Sequence, residues 1–206
     1  MKNDIVQKLI YELVSKLFVL PIYKFIFKGH LIGRDNIPQE DSFIMVSNHG
    51  SLLDPPLLGH ALGCNISFMA KAELFKIPFL GFVIKACGAY PVKRGIVDKN
   101  TIKTACNKLA NNNSIGIFID GTRQKNGRVN KPKHGAALLA FKNQKLLLPV
   151  AIVNSHRLMR FKFCVPLFSK IVIKVGKPIK PPTSSSRDEL NSVTMLLQEN
   201  INNLIG

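Results

Sequence analysis

The chain contains no tryptophan, only 3 tyrosines, and only 12 acidic residues against 29 basic ones in 206. Aromatics make up just 8%, and no RNP, zinc-finger or helix-turn-helix signature occurs; both features argue against a nucleic-acid-binding domain. Lysines are spread along the chain instead of lining one helix. Cys64, Cys87, Cys106 and Cys164 are widely spaced and form no Cys-x-x-Cys pair. That argues against a zinc site or a disulfide framework, fits a reducing compartment, and leaves each cysteine as a small core residue. No apolar run reaches membrane-spanning length, because Lys8, Glu12, Lys16 and Lys24 interrupt the greasy N-terminal stretch. No small-residue cleavage site follows it, so it does not read as a signal peptide. There is no internal repeat, and the only linker-like stretch is Pro181-Pro182-Thr183-Ser184-Ser185.

What is present is basic and greasy together: a net charge of +17, 46% hydrophobic residues and a mean hydropathy of +0.13. A charge of that size calls for an anionic partner, and the apolar content makes a membrane surface a better fit than nucleic acid. Residues 4–20 read as an amphipathic helix. Val6, Leu9, Ile10, Leu13, Leu17 and Leu20 fall on one stripe, with Asp4, Gln7, Lys8, Tyr11 and Ser15 opposite. Pro21 is expected to interrupt it, and Ile22 to Phe27 continues as a short, Lys-flanked aromatic segment. Two readings stand: a helix packed on the core, or a helix lying in the bilayer interface with Lys16, Lys24 and Lys28 towards the headgroups. The chain divides accordingly into an N-terminal segment, 1–28, and one domain, 29–206.

From there strands and helices alternate. Strands are expected at Phe43–Val46, Ile66–Ala70, Ala89–Val92, Ile115–Ile119 and Leu146–Val153, with one or two more in Phe161–Val175. Helices are expected at Pro56–Leu62, Phe79–Ala86, Asp98–Ala110 and Lys133–Lys142, and Ser186-x-x-Glu189 caps a terminal helix through Val193, Leu197 and Ile201. The pattern predicts an α/β fold: a single layered domain with a mixed, largely parallel sheet flanked by helices, preceded by the amphipathic segment.

Three polar clusters follow strands. In the first, Asn48-His49 and Asp54 stand just after the apolar run Phe43 to Val46. A histidine at a strand end sits where loops build sites, and an imidazole oriented by a carboxylate is a general base able to activate a hydroxyl. The same residues also fit a capping box, Ser51-x-x-Asp54, or an Asp54 N-cap before Pro55. The second cluster, Tyr90-Pro91-Val92-Lys93-Arg94-Gly95, ends a strand with two cations. The third, Ile119-Asp120-Gly121-Thr122-Arg123, adds a tight turn, a hydroxyl and a guanidinium. Arginines beside exposed backbone N–H groups suit a phosphate, although each cluster taken singly reads as a turn with a solvated charge.

Together and in this order, the clusters resemble the glycerolipid acyltransferase family, which includes the bacterial lysophosphatidic acid acyltransferases. That family carries an Asn-His-x-x-x-x-Asp block, matched by Asn48, His49 and Asp54. A strand ending in arginine after a glycine matches Gly88 through Arg94. A Pro-Glu-Gly-Thr-Arg block corresponds to Ile119 through Arg123, with Ile119 for proline and Asp120 for glutamate. An apolar strand with a central proline matches Leu148-Pro149-Val150-Ala151. Lys71-Ala72-Glu73-Leu74, Pro78 and Gly81 also sit as in the family, and His134 stands where a lysine commonly precedes Gly135. The likeness runs from about Gly33 to Lys177.

The resemblance implies an acyltransferase with no cofactor and no metal. His49 would be its base and Asp54 the orienting acid, while Arg94, Asp120, Gly121, Thr122 and Arg123 would hold the acceptor phosphate. Its expected partners are a lysophospholipid acceptor, a donor carried on acyl carrier protein or coenzyme A (or an acyl phosphate), and an anionic membrane on whose cytoplasmic face the protein lies. Other acceptors consistent with it are glycerol-3-phosphate or another lysolipid. The absence of a Gly-x-Ser-x-Gly elbow weakens a serine-hydrolase reading. A non-catalytic basic protein binding membrane or nucleic acid is the alternative of a different class. The apolar residues Phe79–Ile84 are candidates for an acyl-chain groove, or plain core.

Overall fold

The computed structural model describes residues 9–39, 41–64, 66–78, 80–92, 99–159 and 169–206. Arg94, Lys93, Gly95, Phe79, Cys164 and most of the segment Phe161 to Lys170 lie outside the described residues, as do Asp4, Val6, Gln7 and Lys8.

Seven strands form one sheet in the order β1-β7-β6-β2-β5-β3-β4. They are β1 (His30–Ile32), β2 (Ile44–Ser47), β3 (Ile66–Lys71), β4 (Tyr90–Val92), β5 (Ser114–Phe118), β6 (Leu147–Val153) and β7 (Val172–Val175). From β6 to β4 all neighbours are parallel, while β7 runs antiparallel to β6 and carries β1 beside it in its own direction. Parallel neighbours need crossovers, supplied by α2 (Asp54–Leu62), α3 (Leu80–Ala86), α4 (Lys99–Ala110) and α5 (Gly135–Asn143). The mixed, largely parallel sheet expected above is therefore what forms.

Alternation along each strand sorts side chains onto two faces. Phe43 and Met45, with Leu148, Val150 and Ile152, join Leu57 and Leu58 of α2 in one cluster. Ile44, Val46, Leu147 and Ala151 face the other way, against α4, α5 and α6 (Arg187–Ile205). The last helix begins as its residues dictate: the Ser186 hydroxyl accepts from the Glu189 N–H.

The N-terminal segment departs from expectation in two ways. Residues 9–26 form one helix, α1, which runs straight through Pro21. Two π turns, Ser15–Val19 and Ile22–Ile26, flank the proline, whose φ of −60° is helical. The wider turn before it gives the ring room that an α turn would deny. The second departure concerns which face is buried. Tyr11 and Ser15, on the polar side, dock onto α2. The Tyr11 hydroxyl donates to the Cys64 carbonyl, the Ser15 hydroxyl pairs with His60 Nδ1 at 2.7 Å, and Tyr23 meets the His60 ring edge-on. Burial lowers the His60 pKa and raises those of Tyr11 and Cys64, the latter to about 11. The leucine stripe points outward: Leu13 is 58% exposed and Leu17 59%. Further along, Tyr23 and Phe27 enter the core.

Candidate active site

β2 and β5 end in register, Ser47 opposite Phe118, so the segments that follow them leave the same edge of the sheet. Carboxyl ends of parallel strands are where open α/β sheets bind ligands. The first segment carries His49, 7% exposed, and the fully buried Asp54. Their side chains meet, His49 Nδ1 lying 2.8 Å from Asp54 Oδ2. The same oxygen accepts the Gly50 and Ser51 N–H groups at 2.7 and 2.8 Å. With two amides already donating to Oδ2, Nδ1 must donate too, which puts the free lone pair on Nε2. No described residue hydrogen-bonds Nε2.

The capping alternative is met only in part. Asp54 accepts the Ser51 N–H, but the Ser51 hydroxyl takes the Leu53 N–H and not that of Asp54. Asp54 opens α2 and turns its carboxylate back onto the loop and the imidazole. Its other oxygen, Oδ1, is buried with no partner among the described residues.

Two residues whose roles the sequence did not single out hold this pair in place. The Phe118 ring stacks on the His49 ring, centroids 3.9 Å apart and planes 13° from parallel. Asn48 acts as a staple. Its Nδ2 donates to the Gly127 and Ile152 carbonyls, and its Oδ1 accepts the Ile152 N–H at 2.8 Å. Between them the chain at Gly50 passes so close to the Ser155–Met159 turn that a Cβ would lie 2.5 Å from the His156 nitrogen. Only glycine fits there.

The third cluster is brought alongside the first. The Gln124 N–H donates to the His49 carbonyl at 2.8 Å, so the turn Asp120–Arg123 is fastened to the histidine's own backbone. Gly121 takes a left-handed φ of 68°, and Thr122 and Arg123 are exposed. Asp120, grouped above with the phosphate-holding residues, is 3% exposed and aims its carboxylate at the N–H groups of Asn130 and Lys131. It shapes the turn and holds the strap that follows. That strap, residues 127–131, is gripped from the far side by α6: Asn202 Oδ1 accepts the Val129 N–H, while Gln198 and Asn202 donate to the Val129 carbonyl. No local signal in the sequence links Val129 to Asn202.

No group of three or more metal-ligating side chains gathers among the described residues, and no helix among them is long and apolar enough to cross a membrane.

A family model described as "Acyltransferase" matches residues 29–153. The chloroplastic 1-acyl-sn-glycerol-3-phosphate acyltransferase of Arabidopsis thaliana is 31% identical over 155 residues, which cover 72% of this chain and 42% of that protein. The 1-acyl-sn-glycerol-3-phosphate acyltransferase of Borreliella burgdorferi is 30% identical over 126 residues, 60% of this chain and 50% of that one. The chain thus spans about half the length of these two relatives. Among solved structures, the 1-acyl-sn-glycerophosphate (LPA) acyltransferase PlsC from Thermotoga maritima superposes with a TM-score of 0.78 at 27% identity, covering 96% of this chain and 80% of that one.

Proposed function

The chain belongs to the acyltransferase family, and from that premise we propose that it transfers a fatty acyl group from an acyl thioester to the free hydroxyl of lysophosphatidic acid, yielding phosphatidic acid. The observation that carries this reading is the His49–Asp54 pair, whose backbone is fastened through Gln124 to the Asp120–Arg123 turn. Nε2 takes the proton of the acceptor hydroxyl as its oxygen bonds to the acyl carbonyl carbon. The C–S bond then breaks, and the leaving thiolate recovers that proton from the imidazolium. Asp54 fixes the tautomer and stabilises the imidazolium; Phe118 keeps the ring in plane. Arg123, the Thr122 hydroxyl and the turn's N–H groups hold the acceptor phosphate, with Arg94 assigned the same task. Purified protein assayed with lysophosphatidic acid, glycerol-3-phosphate and other lysolipids, against acyl carrier protein and coenzyme A thioesters, tests the reaction. No transfer to any acceptor would reject it. Arg123→Lys should raise the acceptor KM roughly tenfold through loss of a bidentate contact, with the donor KM little changed; a rise in the donor KM would reassign the turn.

Residues 1–28 serve in this proposal as the membrane-interface segment and 29–206 as the catalytic domain, on the cytoplasmic face of an anionic bilayer. The support is the outward leucine stripe together with Phe18 and Phe25, the latter 72% exposed, flanked by exposed Lys16, Lys24 and Lys28. Because Tyr23 and Phe27 belong to the core, deleting the segment would damage the fold. Serine substitutions at Leu13, Leu17 and Phe18 are the cleaner test. At roughly 1 kcal/mol for each partly inserted side chain, the triple variant should bind anionic vesicles about 100-fold more weakly in co-sedimentation. Unchanged binding would move the membrane contact elsewhere on the molecule.

A further inference from the structure

The segment after Asp120 is unusual in charge: no Asp or Glu occurs again until Asp188. Within it, Lys133 has a defined position. Its N–H donates to the Ile119 carbonyl at 3.0 Å, which ties it to the base of the Asp120–Arg123 turn. Its side chain then lies across Gly121. A Cβ built on that glycine would sit 3.2 Å from Lys133 Nζ and 3.5 Å from Cδ and Cε. Gly121 is favoured by its φ of 68°, with the lysine stem in van der Waals contact above it.

The turn beside this ammonium carries groups that ask for an anion. The N–H groups of Thr122 and Arg123, the Thr122 hydroxyl, the Arg123 guanidinium and Lys133 Nζ have no hydrogen-bond or ion-pair partner among the described residues. Asp120, at the head of the turn, is buried and turned onto the amides of Asn130 and Lys131, and it makes no ion pair with the lysine. Asn130 and Lys131 are in turn locked through Val129 to α6, which holds the approach to Lys133 rigid.

We propose that Lys133 is a further cation of the acceptor subsite and the residue that selects a terminal phosphate monoester, a dianion, over a phosphodiester headgroup, a monoanion. The inference rests on the acyltransferase reading above for its substrate, but the subsite itself is a statement about phosphate. Arg123 supplies a planar fork and Lys133, lying across Gly121, adds a point charge, so the turn carries positive charge to match a dianion.

Two measurements on the full chain decide it. In kinetics, Lys133→Ala should raise the KM for lysophosphatidic acid about tenfold while leaving that for lysophosphatidylglycerol within about twofold, and Lys133→Arg should recover most of the loss. The penalty should shrink as pH falls through about 6, where a phosphate monoester loses its second charge. In binding, inorganic phosphate followed by phosphorus NMR should bind the unaltered protein about tenfold more tightly than Lys133→Ala. Equal losses for monoester and diester acceptors, a penalty independent of pH, or equal phosphate affinity in the two proteins would each overturn the proposal and leave Lys133 as a solvated charge packed on Gly121. If no lysolipid is acylated at all, the acyltransferase reading falls, and the phosphate titration alone judges the subsite.

Discussion

Replacing His49 with alanine should lower acyl transfer by on the order of 10²–10⁴ or more, the usual cost of removing a general base. The variant should still fold, because the loss is one ring stacked on Phe118 at the edge of the sheet and not a strand or a helix. Asp54→Asn should fall nearly as far, for a reason the geometry makes specific. The amide oxygen can occupy the position of Oδ2 and keep the Gly50 and Ser51 N–H groups satisfied, while its nitrogen takes the place of Oδ1, which has no partner. The loop's amide contacts are preserved and the charge facing the imidazole is lost, at the cost of a buried amide NH2 without an acceptor. Initial rates on both variants, with circular dichroism to establish that they fold, decide the matter. A folded His49→Ala protein with wild-type turnover would end the case for His49 as the base.

A loss of stability instead of chemistry is expected at Asn48. Its side chain satisfies the Gly127 carbonyl and both backbone groups of Ile152, all in the interior. Asn48→Ala leaves these three groups unpaired, at about 1–3 kcal/mol each when fully buried. Allowing for relaxation and water entry, a loss of roughly 3–5 kcal/mol follows, a large share of the ~5–15 kcal/mol that holds a domain folded. For a chain of this size the melting temperature should drop by about 10 °C. A drop of less than about 2 °C would mean that the staple contributes little. The contrast between the two neighbours, one costing rate and the other stability, separates the chemistry of the loop from its attachment.

Those attachments mark the limit of what the sequence could disclose. β2, β5 and β6 are legible because their apolar runs lie in the interior of the sheet, and the start of α6 because Ser186 and Glu189 carry a local cap. β1 is not, since His30-Leu31-Ile32 is a three-residue edge strand specified only by pairing with Val172 to Lys174 far along the chain. The continuity of α1 through Pro21 depends on π turns that no periodicity announces. In the site, the spacing of His49 and Asp54 is readable, but Ser51-x-x-Asp54 fits a cap equally well until the amide contacts are seen. Phe118 reads as one more apolar residue at a strand end; its stacking depends on β5 lying beside β2. The pairing of Lys133 with Gly121 depends on the path of the strap between them.

That strap ties the readiness of the site to the stability of a helix end. Val129 is held by Gln198 and Asn202, in the final turns of α6, and helix ends fray more readily than sheets melt. When those turns open, Val129 is released. The amides of Asn130 and Lys131 then lose their hold on Asp120, while the central strands stay paired. A folded form with the strap released is therefore the expected first opening, reached by fraying about 70 residues downstream of Val129. Whatever clamps the end of α6 should therefore keep Asp120 and its turn in place from a distance.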